Sequence, residues 1–179
     1  MPSSSPAAEP YDALPSAPDA DTAGETWARG LSDLESAHTY WLSTLRADGP
    51  APHTVPLLAV VVGGRVHFSA SATSRKARNL QRSAACTLAA SGGSLDLVLE
   101  GTAVPTTDPG RLSAVAAAYA EKYGWAPEAR DGALWAEGAP TAGPPPYHVY
   151  EIRPERAFGF PTVDDARPTR WRFPDEHDA

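Results

Sequence analysis

The chain has 179 residues, 42% of them hydrophobic, which suits one domain built around one core. Its formal charge of −7 comes from its ends, from Glu9, Asp12, Asp19, Asp21 and Glu25 near the start and Asp175, Glu176 and Asp178 at the finish; without them, 14 acidic residues face 15 basic ones. A near-neutral body lacks the broad basic face that a nucleic-acid backbone needs, and no apolar run approaches the roughly 18 residues of a membrane span, so neither partner is expected.

The first 25 residues hold five prolines, four serines and six alanines, with Tyr11 and Leu14 the only sizeable apolar side chains after Met1. So little apolar surface does not offset the entropy of ordering a chain, so residues 1–26 are expected to be a disordered acidic tail. The fold then spans 27–173, and 174–179 is a second acidic tail. The N-terminus lacks the charged start and apolar stretch of a signal peptide. Cys86, the single cysteine, excludes an internal disulfide and a cysteine-rich zinc site, and its apolar strand marks it as an inert core thiol. A cytoplasmic location is expected.

Residues 39–46 read as a strand that enters the turn Ala47-Asp48-Gly49-Pro50. Residues 52–62 form a second strand, Gly63-Gly64 gives a two-residue hairpin turn, and residues 65–69 continue as a third. A polar helix runs from Ser74 to about Arg82. Residues 85–90 and 95–104 make another hairpin across Ser91-Gly92-Gly93-Ser94. A longer helix follows, capped by Asp108, with Pro109 at its first position and Gly124 at its end. Within it Leu112, Val115, Ala116, Tyr119 and Tyr123 line one face to lay on a sheet and cover a barrel opening. Residues 126–146, rich in Ala, Gly and Pro, read as a long loop. Closing strands follow at 147–153 and 157–160, with a short aromatic and basic finish at 169–173. The order strands, helix, strands, helix, strands excludes a regular βαβ array; it predicts a mainly β fold, a closed antiparallel barrel with appended helices.

The segment Ser74-Arg75-Lys76-Ala77-Arg78-Asn79-Leu80 opens a helix directly after a strand that ends in Ser69-Ala70-Ser71-Ala72-Thr73. Such a junction offers free backbone N–H groups, short hydroxyls and cations together, which suits a phosphate dianion; a solvated basic face reads equally well from spacing alone.

Together with that segment, His53-Thr54-Val55-Pro56, the hairpin from Gly63 to Ser69, Leu99-Glu100-Gly101-Thr102-Ala103 and Thr169-Arg170-Trp171-Arg172-Phe173 resemble the pyridoxamine 5′-phosphate oxidase-like superfamily. More narrowly they resemble its actinobacterial branch of flavin- and deazaflavin-dependent enzymes, over about residues 36–173. The resemblance implies a homodimeric, FMN-binding-like split β-barrel with its cofactor sites between subunits. It implies that Ser74, Arg75 and Lys76 grip the cofactor phosphate, helped by Asn79 one helical turn on, with Ser69 on the strand leading in. His53, Thr54, Val55 and Pro56 would lie along the ring system, and Arg170 and Trp171 would touch the cofactor held by the other subunit. The final third has no counterpart of the Arg-Leu-His-Asp-Arg segment that handles pyridoxal in the true oxidases, so pyridoxal phosphate synthesis is not implied. Coenzyme F-420, a deazaflavin, is favoured over FMN. The expected activity is hydride transfer between that cofactor and a small unsaturated substrate. Neither cofactor demands an acid–base dyad of side chains, because the ring carries the hydride.

His38, His53, His67, His148 and His177 form no close pair, so no metal site is expected, although haem is an alternative because some relatives of the fold bind it. The tryptophans other than Trp171 read as packing residues. No Gly-x-Ser-x-Gly elbow, Walker loop or Gly-x-Gly-x-x-Gly motif is present, which removes hydrolase, nucleotide-triphosphatase and Rossmann readings. A non-catalytic carrier of flavin, deazaflavin or haem is the alternative function, and a barrel with a vestigial site is the third.

Overall fold

The computed structural model describes residues 7–10, 20–137, 143–162 and 168–174. In chain order the elements are β1 (Ala7–Pro10), α1 (Ala20–Ser36), β2 (Tyr40–Leu45), β3 (Pro52–Leu57), β4 (Ala59–Val62), β5 (Arg65–Ser71) and α2 (Arg75–Arg82), then β6 (Ala85–Ser91), β7 (Leu95–Thr106), α3 (Pro109–Tyr123), β8 (Glu128–Arg130), β9 (Ala133–Trp135), β10 (Tyr147–Pro161) and β11 (Thr169–Arg172).

The pairings among these strands are antiparallel, and they run β4–β5–β10–β7–β6–β2–β3. Both ends of that path lie on one stretch of chain, because β3 and β4 are separated by Leu58 alone. The antiparallel split barrel with appended helices that the sequence predicts is thus observed, with one difference: no hydrogen-bonded ladder closes the sheet, which is open at Leu58. The Leu58 carbonyl turns to α3 instead, where the Tyr119 hydroxyl donates to it at 3.2 Å. Between β4 and β5, Gly63 (φ 60°) and Gly64 (φ 72°) supply the left-handed backbone that a tight hairpin requires. The two closing strands expected separately are one long strand, β10, with a register shift between Pro154 and Arg156. Its first residues pair with β5, its length with β7, and Arg156–Gly159 with β11.

The barrel interior is filled from alternate positions of each strand, among them Tyr40 and Leu42 of β2, Phe68 of β5, Leu88 of β6, Leu97 and Leu99 of β7 and Ile152 of β10. Phe68 and Tyr150 sit directly opposite across β5 and β10 with rings stacked 5.2 Å apart. A second cluster lies outside, where Leu112, Val115, Ala116 and Tyr119 of α3 cover Val60, Leu134, Tyr147 and Val149. The helix has the boundaries the sequence predicts: Asp108 accepts from the Arg111 amide at 2.7 Å, Pro109 occupies the first position, and Gly124 closes it with left-handed backbone.

Two expectations give way. The supposed tail is structured at residues 7–10 and 20–26, and the remaining positions up to 26 lie outside the described residues. β1 is held by a backbone ladder to β11, which needs no apolar side chain, and α1 is anchored further on by Trp27 and Leu34 in the main core. The supposed loop at 126–146 contains the β8–β9 hairpin, turned by Asp131 and Gly132 at positive φ and laid against α3 through Ala129 and Leu134. Residues 138–142, and 175–179 of the C-terminal tail, lie outside the described residues. Among those described, no helix is long and apolar enough to cross a membrane.

Candidate functional site

The Ser74–Leu80 segment forms the junction that its sequence implies. β5 ends at Ser71, the Ser74 amide donates to the Ser71 carbonyl at 3.0 Å, and Ser74 caps α2 by accepting from the Ala77 amide at 3.3 Å. The Ala77 and Arg78 amides thus already have acceptors, and those of Arg75 and Lys76 lie in the first turn, where a helix supplies none. Two donors and the positive end of the helix face outward together.

Among the described residues the side chains of Arg75, Lys76, Arg78 and Arg82 form no hydrogen bond or ion pair. Lys76 is half-buried, and desolvation lowers its ammonium below the usual lysine range. Arg46, Ala47, Asp48, Arg75, Arg78, Asn79 and Arg82 line a cleft of about 290 Å³. Arg46 and Asp48 meet there as a fork, Nε to Oδ1 at 2.8 Å and Nη2 to Oδ2 at 3.1 Å. The guanidinium holds the Asp48 carboxyl down at about 2, with Arg75 adding to the effect.

Asn79 is buried and donates its side-chain amide to the Thr44 hydroxyl at 2.9 Å, which fastens α2 to β2. Thr44 is the direct cross-strand partner of His53, so the same contact brings His53 to the α2 end of the barrel. The His53 ring feels Arg75, Arg46 and Lys76; desolvation first, and then those three charges, lower its pKa and so favour the neutral form. Its Nδ1 is shut off from solvent without a hydrogen-bond partner. Val55, opposite Leu42, shares that face of β3.

Other expected positions do not join this group. Strand alternation sends Thr54 and Pro56 to the opposite face, where the Thr54 hydroxyl pairs with Ser43 at 2.7 Å and Pro56 lies opposite the exposed Trp41. Ser69 faces α3, within hydrogen-bonding reach of Tyr119, because the alternate residues Phe68 and Ala70 take the interior. Trp171 is a core residue, 1% exposed, with its ring 5.5 Å from that of Trp27. A Cβ on Gly159 would come within 2.7 Å of that ring, so the glycine makes the space it fills. Arg170 points from the other face of β11, which is separated from β3 by β10, β7, β6 and β2 in the sheet order. The site list drawn from sequence omitted Arg46, Asp48, Arg78 and Arg82. Their signal was present in basic residues just after a strand and along the outer turns of a helix, but pairing the Arg46–Asp48 turn with α2 needs the barrel.

The Cys86 thiol is pushed up to about 12 by burial, which keeps it unreactive. Among the described residues no group of three or more His, Cys, Asp or Glu side chains is placed to hold a metal ion.

The family profile described as Pyridoxamine 5′-phosphate oxidase matches residues 31–160. The chain belongs to this family. No curated protein matches it significantly. Solved structures of similar fold include the conserved hypothetical protein Rv2991 of Mycobacterium tuberculosis, 22% identical, TM-score 0.59, over 75% of this chain and 83% of that one. A Clostridium acetobutylicum protein related to general stress protein 26, of the pyridoxinephosphate oxidase family, is 12% identical with TM-score 0.56, over 83% and 94% of the two chains. A heme binding protein of Mycobacterium smegmatis is 17% identical with TM-score 0.55, over 75% of this chain and 53% of that one. At these identities the likeness is one of fold. Flavin-binding oxidoreductases and haem-binding proteins both occur on the pyridoxamine 5′-phosphate oxidase scaffold.

Proposed function

We propose that this protein is an oxidoreductase that holds coenzyme F-420, or alternatively FMN, by its phosphate at the start of α2 and transfers hydride to or from a small unsaturated substrate. The observation that carries the reading is Lys76: a half-buried ammonium with no anion partner among the described residues, beside two outward amides and Arg75. A cation taken partly out of water costs free energy unless an anion meets it, and the cofactor phosphate does so here. His53 and Val55 fit the edge of the cofactor ring, since they line the same end of the barrel, and the orphaned His53 Nδ1 supplies a polar contact on a strand face otherwise made of Val55 and Leu57. When bound, the cofactor ring supplies the hydride chemistry; the chain binds it, orients it and excludes water.

A homodimer is part of the same proposal. The outer face of β2 presents Trp41, 50% exposed, and Leu45, 54% exposed, beside Pro52 and Pro56 of the edge strand β3. A second copy on this face would cover apolar surface and bring another chain to the Thr54–Pro56 side, where Arg170 of that copy could complete the site.

A thermal-shift screen with F-420, FMN and haem tests the reading, because a ligand that binds the native state raises its melting temperature, by the equivalent of about 2.7 kcal/mol at a hundredfold excess over Kd. Lys76→Ala should weaken binding of the selected cofactor by about 1.5–3 kcal/mol, read by calorimetric titration; unchanged affinity sinks the phosphate seat. The carrier reading draws on His53, because the neutral form that its surroundings favour is the one that ligates iron. A haem shift, or a bound cofactor that stays redox-silent when acceptors are added, favours the carrier.

A further inference from the structure

The cleft already contains one anion. Among the described lining residues, Asp48 is the single carboxylate among Arg46, Arg75, Arg78 and Arg82, and it holds the Nε and Nη2 edge of Arg46 with both oxygens. That edge is the one a guanidinium offers to a carboxylate or phosphate ligand. Asp48 is two residues from Arg46, so its carboxylate stands at high effective concentration. Arg46 immediately precedes the exposed bend at 47–51 and Asp48 lies within it; no ladder holds that bend, and the Asp48 side chain is 64% exposed. Such a pair is easily opened, since exposed ion pairs contribute little.

We propose that Asp48 is a specificity-determining competitor for the ligand's anionic group: it occupies the Arg46 fork until an oxyanion that also engages Arg75 and Lys76 displaces it. This rests on the phosphate seat proposed above. A carboxylate ligand offers Arg46 nothing that Asp48 does not already provide. The phosphomonoester dianion of FMN carries twice the charge and a third oxygen, and the singly charged phosphodiester of F-420 gains instead by reaching the α2 amides, Arg75 and Lys76 at the same time; either wins over a small carboxylate that meets Arg46 alone. Asp48 thereby rejects small carboxylates from a strongly basic cleft.

The experiment measures Kd for F-420 and FMN, and displacement of the bound cofactor by inorganic phosphate and by acetate, in wild type, Asp48→Asn, Arg46→Gln and the double variant at fixed ionic strength. In Asp48→Asn the cofactor should bind about three- to fivefold more tightly, the upper range for freeing an exposed pair. The preference for phosphate over acetate should fall by a similar factor. In the Arg46→Gln background the same Asp48 change should have less than half that effect. Weaker or unchanged binding in Asp48→Asn overturns the proposal, as does a gain that persists without Arg46, which would mark a general charge effect. Failure of the underlying reading looks different: Lys76→Ala binds like wild type, or no variant binds either cofactor, and the latter overturns both.

Discussion

The two partly buried lysines occupy opposite situations. On the α3 side, Lys122 donates to the Tyr40 hydroxyl at 2.8 Å and lies over the rings of Tyr40 and Tyr123 at 4.9 and 5.3 Å; the Tyr40 hydroxyl in turn donates to the Leu34 carbonyl of α1. On the α2 side, Lys76 has desolvation and no partner among the described residues. The cation on the α3 and α1 side is met by groups of its own chain, while the one at the α2 edge is placed to receive something. A cation engaged by its own chain is architecture; one left waiting at a helix start is a candidate for chemistry. Substitutions on the α3 and α1 side should therefore change stability and leave ligand affinity alone, the reverse of Lys76→Ala.

The largest effect is expected at Trp171. Trp171→Ala removes a buried indole that touches Trp27 and Gly159, and should destabilise the fold by about 3–5 kcal/mol in denaturant unfolding. The protein that remains folded should bind cofactor as wild type does; lost affinity without lost stability would return Trp171 to the cofactor and break the comparison. Asp33 comes next. Its Oδ1 accepts from the Gly93 and Ser94 amides at 3.1 and 3.3 Å and its Oδ2 from the Ser94 hydroxyl at 2.6 Å, pinning α1 to the β6–β7 turn. Asp33→Ala strands those donors and should cost about 1.5–3 kcal/mol in the same assay. A loss below about 0.5 kcal/mol would mean that water replaces the carboxylate freely.

That staple also shows where sequence reading stops. The α3 helix was legible to the residue because its cap, its first-position proline, its terminal glycine and its apolar spacing are local signals. The Ser74 junction was legible for the same reason. Asp33 to Ser94 spans 61 residues, and nothing local in either segment announces the other. The order of residues 7–10 and 20–26 was invisible because it comes from a backbone ladder and a helix anchored downstream, not from their own composition. In the site, one-dimensional reading placed Thr54 and Pro56 with His53, but the two-residue period of a strand assigns them to opposite faces once the pairing partner is known. Asp48 was read only as part of a turn; its meaning lies in the arginines that the barrel gathers around it.

The smallest and most specific effect belongs to Lys122. Burial lowers its ammonium from an ordinary 10.5 to about 8, with Glu35 pulling weakly the other way. Below pH 8 the amine is charged in both folded and unfolded chains, and the folded state carries the full cost of desolvating it. Between about 8 and 10.5 the unfolded chain binds the proton more often than the folded one, so this group's contribution to stability rises with pH through that window and is flat above it. The phenols of Tyr40 and Tyr123 act in the opposite sense, since burial raises both, and the unfolded chain ionises first as pH climbs past the ordinary tyrosine value of 10. The observable is thus a difference between two proteins rather than one curve. Unfolding free energies of wild type and Lys122→Met, measured from pH 7 to 10, should diverge in favour of wild type as pH rises. A difference that stays constant would mean that the cation is solvated after all, and that the Tyr40 and Tyr123 rings do not enclose it.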